Sequence, residues 1–325
     1  MVELFALSIN DVATSRPAAG AGFGQYLLLG LVLGSLYALI ALGYTMVYGI
    51  IELINFAHGD LFMLGSFLAL QLAVWTGVTV AADSGTGSII LTVLLMLVLT
   101  PLCCAALNVA TDRVIYKPLR NSPKLTVIVS AIGVSFIFMN LGLFWRGATQ
   151  VKFPDLIPDI DLIGGASLRF TLKDAMVIGV TVPVMLALTV FVKFTSLGKA
   201  MRATAQNPTA AQLMGINADR VIAATFAIGG ALAGVAAVVY GLYIKSVEYQ
   251  MGFQNGLYAF TAAVLGGIGN IPGAVLGGLV IGVVGELGKA YVGAMWSEVI
   301  IFGILIVILI FRPTGLLGAR TREKV

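Results

Sequence analysis

Few residues of this chain carry charge. Asp, Glu, Lys and Arg make up 10% of its 325 residues, and there is one histidine. A soluble domain is roughly a quarter charged, so an ordinary water-soluble fold is excluded. Cysteine is nearly missing as well. Cys103 and Cys104 are neighbours in an apolar run and read as small core or lipid-facing hydrophobes, because a metal site needs more ligands. Nucleotide motifs are lacking. Gly267-x-Gly269-x-x-Pro272 fails the dinucleotide fingerprint at its third glycine, and Gly198-Lys199 and Gly288-Lys289 are followed by alanine with no upstream phosphate-loop glycine. Metal-ligand spacings and a nucleophile elbow are missing too. No catalytic residue, metal or cofactor is therefore assigned to this chain, and it reads as a non-enzyme. Residues 1–20 place Glu3 early and lack a basic stretch before an apolar core, so no cleavable leader is expected.

What is present is apolar length. Hydrophobic residues make up 59% of the chain, and the mean hydropathy is +1.01. In lipid only helices or a closed barrel can span, and long unbroken apolar runs select helices. The expected fold is all-α, a polytopic transmembrane bundle of eight to ten spans forming a single domain over 1–325. Nine segments are predicted, at 23–49, 51–75, 88–110, 125–145, 174–194, 221–244, a weaker one at 249–269, 271–291 and 295–311.

The pI near 9.1 does not indicate nucleic acid, because the basic residues fall in short loops between spans. Twelve of the nineteen lie after the third span, around 195–220 and in the 312–325 tail. With nine crossings these regions share one side. That side is cytoplasmic by the positive-inside rule, which leaves segment 1–22 and the 146–173 loop outside.

The stretch 195–220 is the longest mid-chain run of mostly polar and small residues. It reads as two short helices. The first ends at Gln206, because the residue before a proline leaves the helical region. The second has Asn207 as N-cap, Pro208 at its first position and Gly215 as the left-handed residue after its end, with Ile216 behind. A helix from Pro208 to Met214 is too short to persist alone in water. It docks either on its own membrane domain or in the groove of a cytoplasmic partner.

Glu52, Asn55, His58 and Asp60 form the densest polar cluster beside an apolar region. Ionisable groups are costly in lipid, so they line a water-filled path, sit at a broken helix, or form a polar turn at the surface. On a continuous helix Glu52 and Asn55 share a face, as do Asn55 and His58. Glycines at 269, 273 and 277, at 278 and 282, at 30 and 34, and at 230 and 234 have the spacing of close helix packing. Gly266-Gly267-x-Gly269-Asn270-x-Pro272 breaks the helix before them, and Glu286 with Lys289 reads as an ion pair.

These residues carry a family likeness. The run from Gly43 to Gly59, with Asn55-Phe56-Ala57-His58-Gly59, resembles the first signature of branched-chain amino acid permeases of ATP-binding-cassette importers. Met214-Gly215-Ile216-Asn217 with Arg220-Val221-Ile222-Ala223 resembles the end of that family's cytoplasmic loop. Leu265-Gly266-Gly267-x-Gly269 with Pro272-Gly273-Ala274 resembles its third signature. The resemblance implies a multi-pass subunit of a bacterial cytoplasmic membrane. Its implied partners are a homologous second permease, two cytoplasmic ATPases that use the ATP, and an external solute-binding protein. The 195–220 stretch then matches the family's coupling loop, with Lys199, Arg202, Asn207, Pro208, Ala211, Leu213, Gly215 and Ile216 as coupling residues. Family members often carry acidic residues where Gln206 and Asn207 stand. Glu52, Asn55, His58 and Asp60 are the expected substrate path, and Gly266, Gly267, Gly269, Pro272, Gly273 and Gly277 the expected break and packing residues. A related branch moves urea or short amides. The reading from another class is an ion-coupled transporter with Glu52, His58 and Asp60 as its relay.

Overall fold

The computed structural model describes residues 22–51, 54–78, 85–120, 122–164 and 168–318. Glu52, Gly165, the tail beyond Gly318 and all but the last residue of segment 1–22 lie outside them. In chain order the helices are α1 (Phe23–Ile51), α2 (Ala57–Thr76), α3 (Thr86–Leu119), α4 (Lys124–Arg146), α5 (Leu172–Phe194), α6 (Ser196–Gln206), α7 (Pro208–Leu213), α8 (Ala218–Ile244), α9 (Met251–Gly266), α10 (Ile271–Tyr291) and α11 (Ala294–Phe311). Eight of them, all but α6, α7 and α9, are long and apolar enough to cross a membrane. The fold is thus a polytopic helical bundle. One departure from all-α is a two-stranded antiparallel sheet, β1 (Val151–Lys152) with β2 (Ser246–Val247).

Burial sorts the helices. α1 and α2 are wrapped by their neighbours, while α3, α4, α5 and α11 expose apolar faces suited to lipid. Glycine sets the tightest seam. α1 lies against α10 with Gly30 and Gly34 facing Gly278 and Gly282 at backbone distance; a Cβ on Gly34 would sit 2.8 Å from the Gly278 carbonyl oxygen. α8 approaches α3 the same way, since a Cβ on Gly234 would lie 2.5 Å from Cα of Pro101. Small residues permit this contact between helices that gain nothing from hydrophobic exclusion in lipid. The opposite ends of the bundle are marked by contacts. Tyr26 of α1 meets Tyr291 of α10, ring centroids 6.2 Å apart, near the loop that Gln25 holds through Arg169. We term this the sheet face. At the other end Gly49 lies against Gly269, and Met201 packs with Met46 and Val221. This is the hook face.

Two chain segments dip into the bundle. The His58 ring occupies the space a Cβ on Gly43 would need, and Gly43 lies eight residues before the end of α1 at Ile51. At 1.5 Å per residue, α2 therefore starts about 12 Å inward from the end of α1. Asn55 is outside any helix, so the helix is broken at this cluster and Asn55 and His58 do not share a continuous helical face. On the other side of the bundle, α9 has 16 residues, about 24 Å, short of the ~30 Å hydrocarbon core. A short turn over 248–250 joins β2 on the sheet face to α9, and α9 runs on to the hook face. The weak segment at 249–269 is therefore a crossing made by one short helix entered through a turn.

Candidate functional site

A chamber of about 680 Å³ opens on the side of the bundle between α4, α9 and α11. Its walls include Phe56, Phe136, Met139, Phe253 and Phe260, and its polar positions include Ser135, Tyr258 and Glu298. That volume lies within the range of small-ligand sites, and apolar walls with few polar groups are their usual composition. Glu298 is the acidic residue of α11 and receives a hydrogen bond from the Tyr258 hydroxyl at 2.9 Å. Ser135 on α4 donates to Oδ2 of Asp60.

Asp60 lies one layer behind this wall and is 1% exposed. Its Oδ1 has no hydrogen-bond partner, and a Cβ on Gly252, which lines the chamber, would stand 2.7 Å from it. Glycine is required here because α9 starts directly against the carboxylate. Asp60 is in the first turn of α2 and touches the first turn of α9, so two helix N-termini with their positive dipole ends meet at it. Broken helices aimed at a charge inside the membrane recur in transporters.

The other residues of the predicted path stand elsewhere. His58 is buried behind Tyr44, with ring centroids 4.7 Å apart in an edge-on arrangement, and neither ring nitrogen has a hydrogen-bond partner. Asn55 lies at the hook face, where its Oδ1 accepts from the Tyr116 hydroxyl at 2.8 Å. Glu52 is outside the described residues. Sequence reasoning missed Ser135, Tyr258 and Glu298. The signal for Glu298 was available, since an acid in a predicted span marks a functional site by default.

The hook face carries α6 and α7. Asn207 caps α7, accepting from the Ala210 N–H at 3.0 Å with Pro208 at the first helical position. Gly215 takes φ +84°. Its N–H bonds the Gln212 carbonyl, and the Ile216 N–H bonds that of Ala211, both at 3.0 Å. These are the two bonds of a Schellman ending. Ala211 turns into the protein at 4% exposure, whereas Leu213 and Met214 stand out at 84% and 82%. Lys199 is exposed on α6; Arg202 folds back to donate to the Val192 carbonyl. Beside α7, Asp219 in the first turn of α8 pairs with Lys117 at 2.8 Å and with Arg120 at 2.6 Å. Arg120 also grips the buried Asp112 at 2.7 and 3.0 Å, within a π-helical turn (Asp112–Tyr116) that carries Tyr116. Asp219, Arg120 and Asp112 thus form one ion-paired chain at the start of α8, and Tyr116, one turn along the same helix as Asp112, bonds Asn55.

The glycine break is formed by Gly267 and Gly269 at φ +103° and +90°. Gly266 abuts the backbone of Gly273, Gly277 abuts the Ala262 carbonyl, and Pro272 stands in the first turn of α10. Lys289 reaches Glu286 at 2.7 Å. On the sheet face Lys245 bridges Asp155 and Asp159 at 2.5 and 3.3 Å, and Lys173 meets Asp159 at 2.5 Å. Partial burial disfavours the Asp159 anion, but the hydrogen bonds and charge of Lys173 and Lys245 outweigh it and hold this carboxyl below its ordinary range.

The sequence pattern of the family described as branched-chain amino acid transport system / permease component matches residues 26–309. The permease protein LivH of a high-affinity branched-chain amino acid transport system, from Escherichia coli K12, is 41% identical over 93% of this chain and 98% of its own length. BraD of Pseudomonas aeruginosa, similarly described, is 42% identical over 93% of this chain and 97% of its own. The ribose import permease RbsC of Haemophilus influenzae is 28% identical over 42% of this chain. No solved structure matches. On the family pattern and these full-length relatives together, this chain belongs to the branched-chain amino acid transport permease family.

Proposed function

We propose that this chain is one membrane-spanning subunit of an ATP-driven importer of branched-chain amino acids. A homologous second permease closes the lateral chamber, so that the path runs between the two subunits. The exposed apolar tip of α7 carries this reading. Leu213 and Met214 are held outward by a capped, Schellman-closed turn and are left uncovered by the described residues. A helix of six residues is unstable alone, so a rigid exposed one is suited to a groove on another protein. We assign that groove to the ATPases, and we assign the sheet face to the solute-binding protein. The hook face is then cytoplasmic.

The aromatic walls of the chamber favour an aliphatic side chain over urea or a short amide. The ion-coupled relay has no support in geometry, since His58 makes no hydrogen bond and Asp60 bonds Ser135.

Purification of the tagged chain in mild detergent tests the reading. A second permease and ATPases are expected at fixed ratio. Leu213→Asp with Met214→Asp is expected to weaken ATPase retention at least ~30-fold, the loss of one strong interface anchor. A clean homo-oligomer without ATPases overturns the proposal.

A further inference from the structure

The chamber is acidic without compensation. Among the described residues its lining contains Glu298 and no lysine, arginine or histidine. Asp60 stands directly behind, with one oxygen on the lining residue Ser135 and the other unpartnered against the lining residue Gly252. A carboxylate kept inside a membrane protein without a basic partner is costly. The helix termini around Asp60 offset part of that cost but leave Oδ1 without a donor. Tyr258 gives Glu298 one hydrogen bond, leaving its other acceptor sites free for a cation.

From this geometry we infer that Glu298 and Asp60 form two successive sites for the ammonium group of the transported amino acid, with Glu298–Tyr258 receiving it first and Asp60–Ser135 deeper in the chamber. This rests on the importer reading and adds to it a rule of recognition. The ammonium is required at the permease itself, and the aliphatic side chain lies against the aromatic wall. An ammonium donates up to three hydrogen bonds, so it can satisfy a carboxylate oxygen and the Ser135 or Tyr258 oxygen together. In a dry site such charge-assisted bonds are shorter and stronger than neutral ones. Ser135 then has a second task. As the residue between Asp60 and the chamber, its hydroxyl rotates to give up the carboxylate when the ammonium arrives. Tyr258 is the corresponding positioning residue for Glu298.

The test uses the complete complex of permeases and ATPases, without binding protein, so that selectivity upstream does not enter. Exposed Cys103 is replaced by serine, and Phe253, on the chamber wall, is replaced as Phe253→Cys and labelled with a maleimide. Leucine and 3-methylbutylamine, which keep the ammonium, are expected to slow labelling. The hydroxy acid 4-methyl-2-hydroxypentanoate, which lacks it, is not. Glu298→Gln and Asp60→Asn are each expected to abolish protection at the same solute concentration. In proteoliposomes with binding protein added, Asp60→Asn is expected to lower leucine uptake at least ~30-fold, as for loss of one partner of a buried charge pair, and Glu298→Gln, at an exposed position on the open side of the chamber, to lower it severalfold. Equal protection by the hydroxy acid, or unchanged uptake in Glu298→Gln and Asp60→Asn, overturns the inference while leaving the importer reading intact. A wild-type complex whose uptake ignores ATP overturns the importer reading itself.

Discussion

Single residues show how little space the bundle leaves. A Cβ added to Gly282 would collide with the Gly30 carbonyl and the backbone of Gly34, and helix backbone cannot rotate away as a side chain does. Gly282→Ala is therefore expected to cost about 1–3 kcal/mol through overpacking, measured as lower thermal stability of the purified complex. Gly303 on α11 has nothing within 4 Å of the added carbon, so Gly303→Ala is expected to stay within ~0.5 kcal/mol. Equal effects at the two positions would sink the account of the α1–α10 seam. The spacing of these glycines was legible in the sequence, because small residues four apart make a flat stripe. Their partners were not. Nothing local to Gly30 or Gly34 says that its stripe faces Gly278 and Gly282 rather than another helix.

At the scale of elements, the turn from α7 into α8 is where local rules worked best. Asn207, Pro208 and Gly215 each dictate backbone by their own chemistry, so this piece could be read without tertiary information. The direction of its side chains could not, and the contrast between buried Ala211 and exposed Met214 comes from packing on α8 and α6. The ion pairs beside it lead to a prediction on the importer reading. Asp219 is half exposed, so its pairs contribute about 0–1 kcal/mol to stability. Asp112 is buried, and removing Arg120 leaves it unpaired at a cost near 3–5 kcal/mol. Asp219→Asn is expected to assemble normally and hydrolyse ATP within about twofold of wild type, but to move severalfold less leucine per ATP. Arg120→Ala is expected to lose assembly itself. If Asp219→Asn kept the full uptake-to-hydrolysis ratio, the ion-paired chain Asp219–Arg120–Asp112 would have no part in coupling.

For the whole molecule, the number of crossings decides which ends share a face. Counting only the eight long apolar helices would put the end of α1 at Ile51 and the tail after α11 on opposite faces, if the chain entered at α1 as it does. The contacts say otherwise. Gly49 touches Gly269, and Gly318 touches Gly267, so both lie on the hook face. The passage from β2 through α9 supplies the missing crossing. Hydropathy saw it weakly, because a 16-residue helix packed against protein need not be uniformly apolar. The same burial explains why only part of the chamber was legible in the sequence. Asp60 was found from its rarity, whereas the chamber beside it is assembled from α4, α9 and α11, which lie far apart in sequence. Sidedness gives a direct measurement. In a chain whose own cysteines are replaced by serine, single cysteines at Gln150 and Val292 are expected to react with an impermeant maleimide on one side of sealed vesicles. Single cysteines at Lys199 and Gly318 are expected to react from the other side. Because Lys199 precedes α9 and Gly318 follows it, labelling of these two from opposite sides would remove the ninth crossing. With it would go the placement of the start of α9 beside Asp60, on which the chamber depends.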